Sequence, residues 1–344
     1  MPSDTASALL DKKPPEETPP AARGMSPQLR MRLQQLAAFA GLVIITIFFA
    51  IAGDNFFTYD NLVNNVLLSS VLIGVLALGT TFVIVTGGID LSIGWGIALT
   101  GMTAGTFLIT WNLPLGLGLL MTLLVGLVIG LVNGFNVSIL GMPPFIATLA
   151  MMLVCQGLPL VISDNGATIY TNTQFPPYAD LSGGELIPKF PNAVLIFLGL
   201  AVIAWVLLNR TIFGRYAVSI GSNEEATALS GINVRKWKLL IYGVAGIFTA
   251  CAGILSSARI GASPTAGGGL ELQAIAAVVI GGTSLAGGKG TIVGSVIGAL
   301  IIGVLNNGLQ IMGVPQEWQY VILGIVILAA VYVDMLRKRS AEVV

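Results

Sequence analysis

The sequence contains no histidine and only two cysteines among its 344 residues. Without histidine, neither a Ser/His/Asp nor a Cys/His catalytic arrangement can be assembled, and zinc or a transition metal loses its commonest nitrogen ligand. Cys155 and Cys251 both lie inside apolar runs, where burial as small hydrophobes fits better than a structural disulfide. Charge is scarce too: Asp, Glu, Lys and Arg make up 9% of the chain, against roughly 25% in a soluble domain. The formal net charge is zero and no basic stripe exists, which argues against a nucleic-acid partner. Paired carboxylates do not recur within any apolar run. Together these absences predict a chain that is not an enzyme and calls for no cofactor and no metal.

What is abundant is apolar length. Hydrophobic residues form 55% of the chain and the mean hydropathy is +0.90. Runs of about 20 residues, enough to cross a bilayer, recur along nearly the whole sequence. Ten spans are predicted, at 35–52, 61–86, 93–111, 115–138, 144–162, 192–208, 238–257, 270–285, 291–312 and 317–336. The eighth is the weakest, being short and rich in glycine. The fold class that follows is an all-α polytopic membrane protein of about ten transmembrane helices. Residues 1–34 are a polar, Pro-rich cytoplasmic tail expected to be disordered, 35–337 the transmembrane domain, and 338–344 a short tail. No small-residue cleavage site follows the first apolar run, so that run is expected to be retained and not cut as a signal peptide.

Orientation follows from Lys and Arg, which accumulate in cytoplasmic loops. With both termini inside, fourteen of the sixteen basic residues fall on the cytoplasmic side, and only Lys189 and Arg259 fall outside. Two loops then stand out: a periplasmic one over 163–191 and a cytoplasmic one over 209–238.

The cytoplasmic loop contains Ser222-Asn223-Glu224-Glu225-Ala226, followed shortly by Ser230-Gly231-Ile232. Ser222 and Glu225 fit a capping box, Glu224 and Glu225 suit the first turn of a helix, and Gly231 is placed to end it in a left-handed conformation. A two-turn helix has little stability alone and needs a surface to pack on. It is either a connector lying on its own bundle or a coupling helix that docks on a cytoplasmic ATPase.

A glycine motif occurs twice. Gly87 to Gly96 and Gly281 to Gly290 both read GGxxLxxGxG, 194 residues apart. Such glycine-interrupted repeats occur in transporters near the transport path, although most glycines in spans serve only close helix packing. The first copy carries Asp90 and Ser92, the second Thr283 and Ser284. An ionised Asp90 at bilayer depth would cost about 2.5–3.5 kcal/mol, so it either lines a gate or caps the helix starting near Ser92. A phosphate loop over Gly287-Gly288-Lys289 is excluded, because Thr283 and Gly290 stand where the pattern needs Gly and Ser or Thr. Energy must then come from another chain.

Four blocks carry a family resemblance: Gly88-Ile89-Asp90-Leu91-Ser92-Ile93-Gly94, Ser230-Gly231-Ile232-Asn233-Val234, Gly281 to Gly290, and Leu305-Asn306-Asn307-Gly308-Leu309. Together they resemble the ribose/xylose/arabinose-type ABC transporter permeases, over roughly Asn55 to Arg337. Arg215 to Ile232 resembles the loop that in that family meets the ATP-binding subunit. The resemblance implies a vitamin-B12-importer-like permease bundle in the bacterial inner membrane, working as a pair of permease copies. Its implied partners are an ATPase with two fused nucleotide-binding halves and a periplasmic sugar-binding protein. A ribose-like pentose is the implied cargo.

A neutral polyol needs hydrogen-bonding groups along its path. The candidates are Asn64, Asn65, Ser69 and Ser70, then Asn133 and Asn136, then Asn306, Asn307 and Gln310, each alternatively a helix-to-helix hydrogen bond. The competing reading is an ion-coupled secondary transporter. That class carries acidic or His relays within its spans, and only Asp90 and Glu271 could serve here.

Overall fold

The computed structural model describes residues 27–163 and 166–342; the Pro-rich head lies outside them. Regular structure among the described residues is helical, apart from isolated bridges joining Ile169 to Ala262 and Ile187 to Phe190. The helices are α1 (Pro27–Ala52), α2 (Asn61–Val85), α3 (Ile93–Thr110), α4 (Leu115–Ser138), α5 (Pro144–Ile162), α6 (Thr171–Gln174), α7 (Pro176–Gly183), α8 (Asn192–Arg210), α9 (Ile212–Ser222), α10 (Glu224–Leu229), α11 (Val234–Ile260), α12 (Leu270–Ile280), α13 (Ile292–Ile311) and α14 (Gln316–Glu342). The first seven residues of α2 and the last five of α3 are π-wound.

Among the described residues, eight helices are long and apolar enough to cross a membrane: α1 to α5, α8, α11 and α13. The apolar part of α14 covers Gln316–Tyr332. The expected span 270–285 is corrected to α12, which stops at Ile280 after 11 residues. At 1.5 Å per residue that is about 16 Å, roughly half a hydrocarbon core. The stop is a hydrogen-bonded turn: the Gly282 and Thr283 amides donate to the Val279 and Val278 carbonyls, at 2.9 and 3.1 Å. This is the C-terminal arrangement that a left-handed glycine permits, and Gly282 supplies it with φ +92°.

Helices α2, α3, α11 and α13 form the buried set, and α1, α4, α5 and α8 lie outside it. Gly126, Gly130 and Gly134 explain how α4 lies flush on α11. Their four-residue spacing puts all three on one face, where a methyl at each position would collide with the backbone of Gly246, Tyr242 and Leu239 in turn. This is the close packing that glycine serves in membrane bundles. Phe82 fills the neighbouring core between Phe213 and Phe248. On the far side α1 is held to α13 by the Phe49 ring seated on Gly308.

The segment between α5 and α8 is anchored, not free. The Tyr178 side chain of α7 is fully buried, and its hydroxyl meets Ser257 Oγ at 2.6 Å and the Ile254 carbonyl at 3.1 Å. These residues belong to the last turns of α11, whereas α10 sits by its first turn. The two long loops therefore occupy opposite ends of a 27-residue helix.

Candidate functional site

Helix α10 is delimited as the sequence suggests, but by a different cap. Ser222 is the last residue of α9, its hydroxyl donating to the Val218 carbonyl at 2.8 Å. The capping-box reading with Ser222 is thereby corrected. Asn223 leaves helical geometry (φ −161°, ψ 104°), and its Oδ1 accepts the Ala226 amide at 2.8 Å. An extended residue with a side-chain acceptor is what an N-cap requires. Glu224 pairs with Lys238 at 2.6 Å, which ties α10 to α11. Gly231 ends the turn at φ +84°, as expected. Ser222 to Ala226, Ser230 and Gly231 are exposed and Ile232 is half-buried, while Thr227 faces inward. Leu229 is 83% exposed. A cavity of about 580 Å³ separates α10 from Val137 and Ser138 of α4 and from the start of α11.

Both glycine motifs interrupt the helices, but not in the register of the sequence overlay. In the first copy the Gly87 and Gly88 amides donate to the Ile84 and Val83 carbonyls (2.8 and 3.1 Å), and Gly87 has φ +78°. Gly87 thus does for α2 what Gly282 does for α12. The backbone offset is 195 residues, one more than the sequence motif gives.

Past each of these helix ends the chain runs without regular structure into a glycine-bounded helix start. After Gly87 the segment rises to Ile93, and Asp90 is 2% exposed beneath the start of α3. Its Oδ1 accepts the Ser92 amide and hydroxyl at 2.9 and 2.6 Å. Asn133 Nδ2 donates to Ser92 Oγ at 2.8 Å and approaches both carboxylate oxygens at 3.3 and 3.4 Å. Three candidate residues therefore form one buried cluster that closes the first turn of α3. Burial pushes the Asp90 carboxyl up from its usual range, against the opposing pull of the Ser92 and Asn133 donors.

One turn further, Gly94 lies against the Glu271 carboxyl and the Gly267 carbonyl, and Trp95 lies against Gly268. Glu271 in turn accepts the Gly269 amide at 3.1 Å. The N-termini of α3 and α12 thus meet inside the bundle, each preceded by an irregular stretch and each carrying a buried acid. Irregular backbone at this depth is tolerated only where protein or a cavity surrounds it, and such interrupted helices mark transporter folds.

The other polar candidates separate. Asn306 Nδ2 donates to Gln273 Oε1 at 3.0 Å on a half-buried face, with Gln310 exposed beside it. Asn307, one residue on, is buried against Asn61. Asn64 donates to Asp60 at 2.6 Å at the exposed start of α2. Thr283 is buried with its hydroxyl unpaired, and Ser284 lies half-buried in the turn beyond α12. Gln273, Asn61 and Lys238 were not among the candidates. Each makes its contact with a residue distant in sequence, so no local signal exists, except that Gln273 is the lone amide in an apolar half-helix.

The arrangement is a bundle with interrupted helices and an appended short helix. A family model described as "Branched-chain amino acid transport system / permease component" matches residues 62–331. The chain is 46% identical to the ribose import permease protein of Bacillus subtilis over 311 residues, covering 90% of this chain and 94% of that one. It is 44% identical to the ribose import permease protein of Escherichia coli K12, covering 88% and 94%. The chain belongs to the sugar ABC-transporter permease family. The xylose transport system permease protein of Escherichia coli K12, at 33% identity over 94% of this chain and 97% of its own length, lies in the same group. No solved structure matches. Membership makes the chain a multi-pass membrane protein with a transport role.

Proposed function

We propose that this permease subunit carries a monosaccharide, a ribose-like pentose, from a periplasmic binding protein into the cytoplasm across the bacterial inner membrane. ATP hydrolysis in a partner with two fused nucleotide-binding halves drives it. Two copies of the chain pair around the path, both termini face the cytoplasm, and α10 is the helix on which the ATPase pulls.

The observation that carries this reading is Leu229. A large apolar side chain, 83% exposed on a capped helix beyond the membrane spans, is poorly placed in water and well placed in a partner's groove. The basic residues that flank α10 in the 209–238 loop, Arg210, Arg215, Arg235, Lys236 and Lys238, support its cytoplasmic placement. Of the polar candidates, Asn306 with Gln273 and Gln310 suits the path, being half-buried to exposed on a face that lipid would penalise. The two ribose import permeases, at 46% and 44% identity, favour ribose over xylose.

The test is uptake of labelled ribose by proteoliposomes containing the chain, the ATPase and the binding protein. Uptake that requires all three components and ATP is expected. Gradient-driven uptake by the chain alone would instead establish the ion-coupled reading.

A further inference from the structure

The last turn of α9 touches both glycine breaks chiefly through backbone. The Gly288 amide donates to the Val85 carbonyl at 2.8 Å, so the loop after α12 is bonded to the end of α2. Gly221 of α9 sits directly on that bond: a methyl there would strike the Val85 carbonyl and lie 2.6 Å from Gly288 N. A methyl on Gly287 would lie 2.8 Å from Gly87 N and 2.9 Å from the Gly221 carbonyl, and one on Gly288 would lie 2.7 Å from Ser222 Oγ. Three chain segments thus meet with only the Ser222 hydroxyl among them, two residues before the Asn223 cap of α10.

Such a joint behaves differently from an ordinary helix contact. Side chains at an interface can change rotamer and absorb a small displacement, whereas closely packed backbone cannot without breaking. Displacing the end of α9 must displace the Val85 turn and the 284–290 loop with it. From the first runs the segment carrying Asp90 to α3, and from the second rises α13 with Asn306.

We infer that Gly221, Gly287 and Gly288 form a rigid backbone joint that makes α9–α10 and the two glycine breaks move as one body during transport. The inference rests on the reading of α10 as the coupling helix. Gly221 is on this view a positioning residue: it touches neither sugar nor nucleotide.

Two variants of the complete reconstituted transporter test it, with ribose uptake and ATP hydrolysis measured separately. Gly221→Ala should hydrolyse ATP near the wild-type rate while sugar carried per ATP falls about tenfold, within the range of ordinary site-to-site coupling. The pair Ser222→Cys with Lys289→Cys, closed by oxidation and scored by lost thiol labelling, should transport nearly as well closed as open, because the joint does not open. Uptake that stops on closure, a pair that never closes, or full coupling in Gly221→Ala would each overturn the inference. Should Gly221→Ala fail to fold, the cysteine pair decides alone. A Glu224→Lys, Glu225→Lys control separates the two layers: normal coupling there sinks the α10 reading itself, whereas uncoupling there beside a coupled Gly221→Ala sinks only the joint.

Discussion

Asn61 and Asn307 hold each other through both ends of their amides: Asn61 Nδ2 donates to Asn307 Oδ1 at 2.9 Å, and Asn307 Nδ2 donates back to Asn61 Oδ1 at 3.1 Å. The pair joins the π-wound start of α2 to α13, both residues buried. Truncating Asn307 to Ala strands half of the Asn61 amide, whose other contacts are the Phe56 carbonyl and the Asn65 amide. A loss of about 1–2 kcal/mol is expected, since two hydrogen bonds of about 0.5–1.5 kcal/mol net each are removed and one buried Asn61 N–H is left without an acceptor. Melting in detergent measures it, and the double variant with Asn61→Ala should cost less than the two singles combined. Strict additivity would show that the two amides do not interact.

The neighbouring residue predicts the opposite pattern. Asn306 is half-buried and bonded to Gln273. Asn306→Leu should leave the melting temperature nearly unchanged, within about 0.5 kcal/mol, as substitutions away from the core do. Ribose uptake should fall severalfold. Unchanged uptake would place the Asn306–Gln273 face outside the path.

Adjacent asparagines with separate roles show what the sequence could and could not disclose. The bounds of α4 and α5 match the sequence reading to the residue, because Pro114 and the Gly141-Met142-Pro143-Pro144 run punctuate them and a lipid-length apolar run leaves little choice between. The broken segments were visible as glycine pairs. Which residue of each pair turns left-handed was not, because a one-residue slip changes no composition. Asn223 replaces Ser222 as the cap for the same reason: both are good caps, and the choice depends on where α9 ends. The separation of Asn306 from Asn307 is a matter of which face of α13 meets α2, and this depends on contacts 246 residues apart in the chain.

Glycine on α4 should divide sharply by position. A side chain on Gly130 would strike the Tyr242 carbonyl of α11, whereas Gly116 has nothing within 4 Å. Gly130→Val should therefore lower the yield of folded protein, overpacking costing about 1–3 kcal/mol even where the structure can yield. Gly116→Ala should be neutral or stabilise by up to about 1 kcal/mol through the reduced entropy of the unfolded chain. Fluorescence-detected size exclusion on heated samples distinguishes them, and equal behaviour would contradict the flush α4–α11 contact.

Asp90 predicts a pH dependence of definite sign. Burial holds its carboxyl above the ordinary 3.8, so the folded chain keeps a proton where the unfolded chain has lost it. Stability from this group is fully present below 3.8 and is lost as pH rises through the folded value. Tyr242 and Cys155 are the titratable side chains beside it. Asp90→Asn, neutral at every pH, should flatten the decline in melting temperature on the alkaline side of 3.8, and Asp90→Ala should destabilise by about 1–3 kcal/mol by leaving the buried Ser92 amide and hydroxyl without their acceptor. A melting profile in which Asp90→Asn keeps the full wild-type slope would assign that slope to other groups.

Leu229 separates partner binding from folding. It is 83% exposed and ends α10, so replacing it with Asp removes no internal contact of consequence and should change the melting temperature of the isolated permease by less than about 0.5 kcal/mol. In the complete transporter the same change puts a charge where an apolar groove is expected, a mismatch of about 2 kcal/mol or more at the centre of a small interface. Co-purification of the ATPase should fall by at least about tenfold, with ATP-driven uptake lost in proportion. Replacing Leu229 with Met, unbranched and of similar volume, should restore both, because what the groove needs is apolar bulk. Retained ATPase binding by Leu229→Asp would move the docking surface off the tip of α10, and the ordered Lys238–Glu224 pair behind it would then be the next place to look.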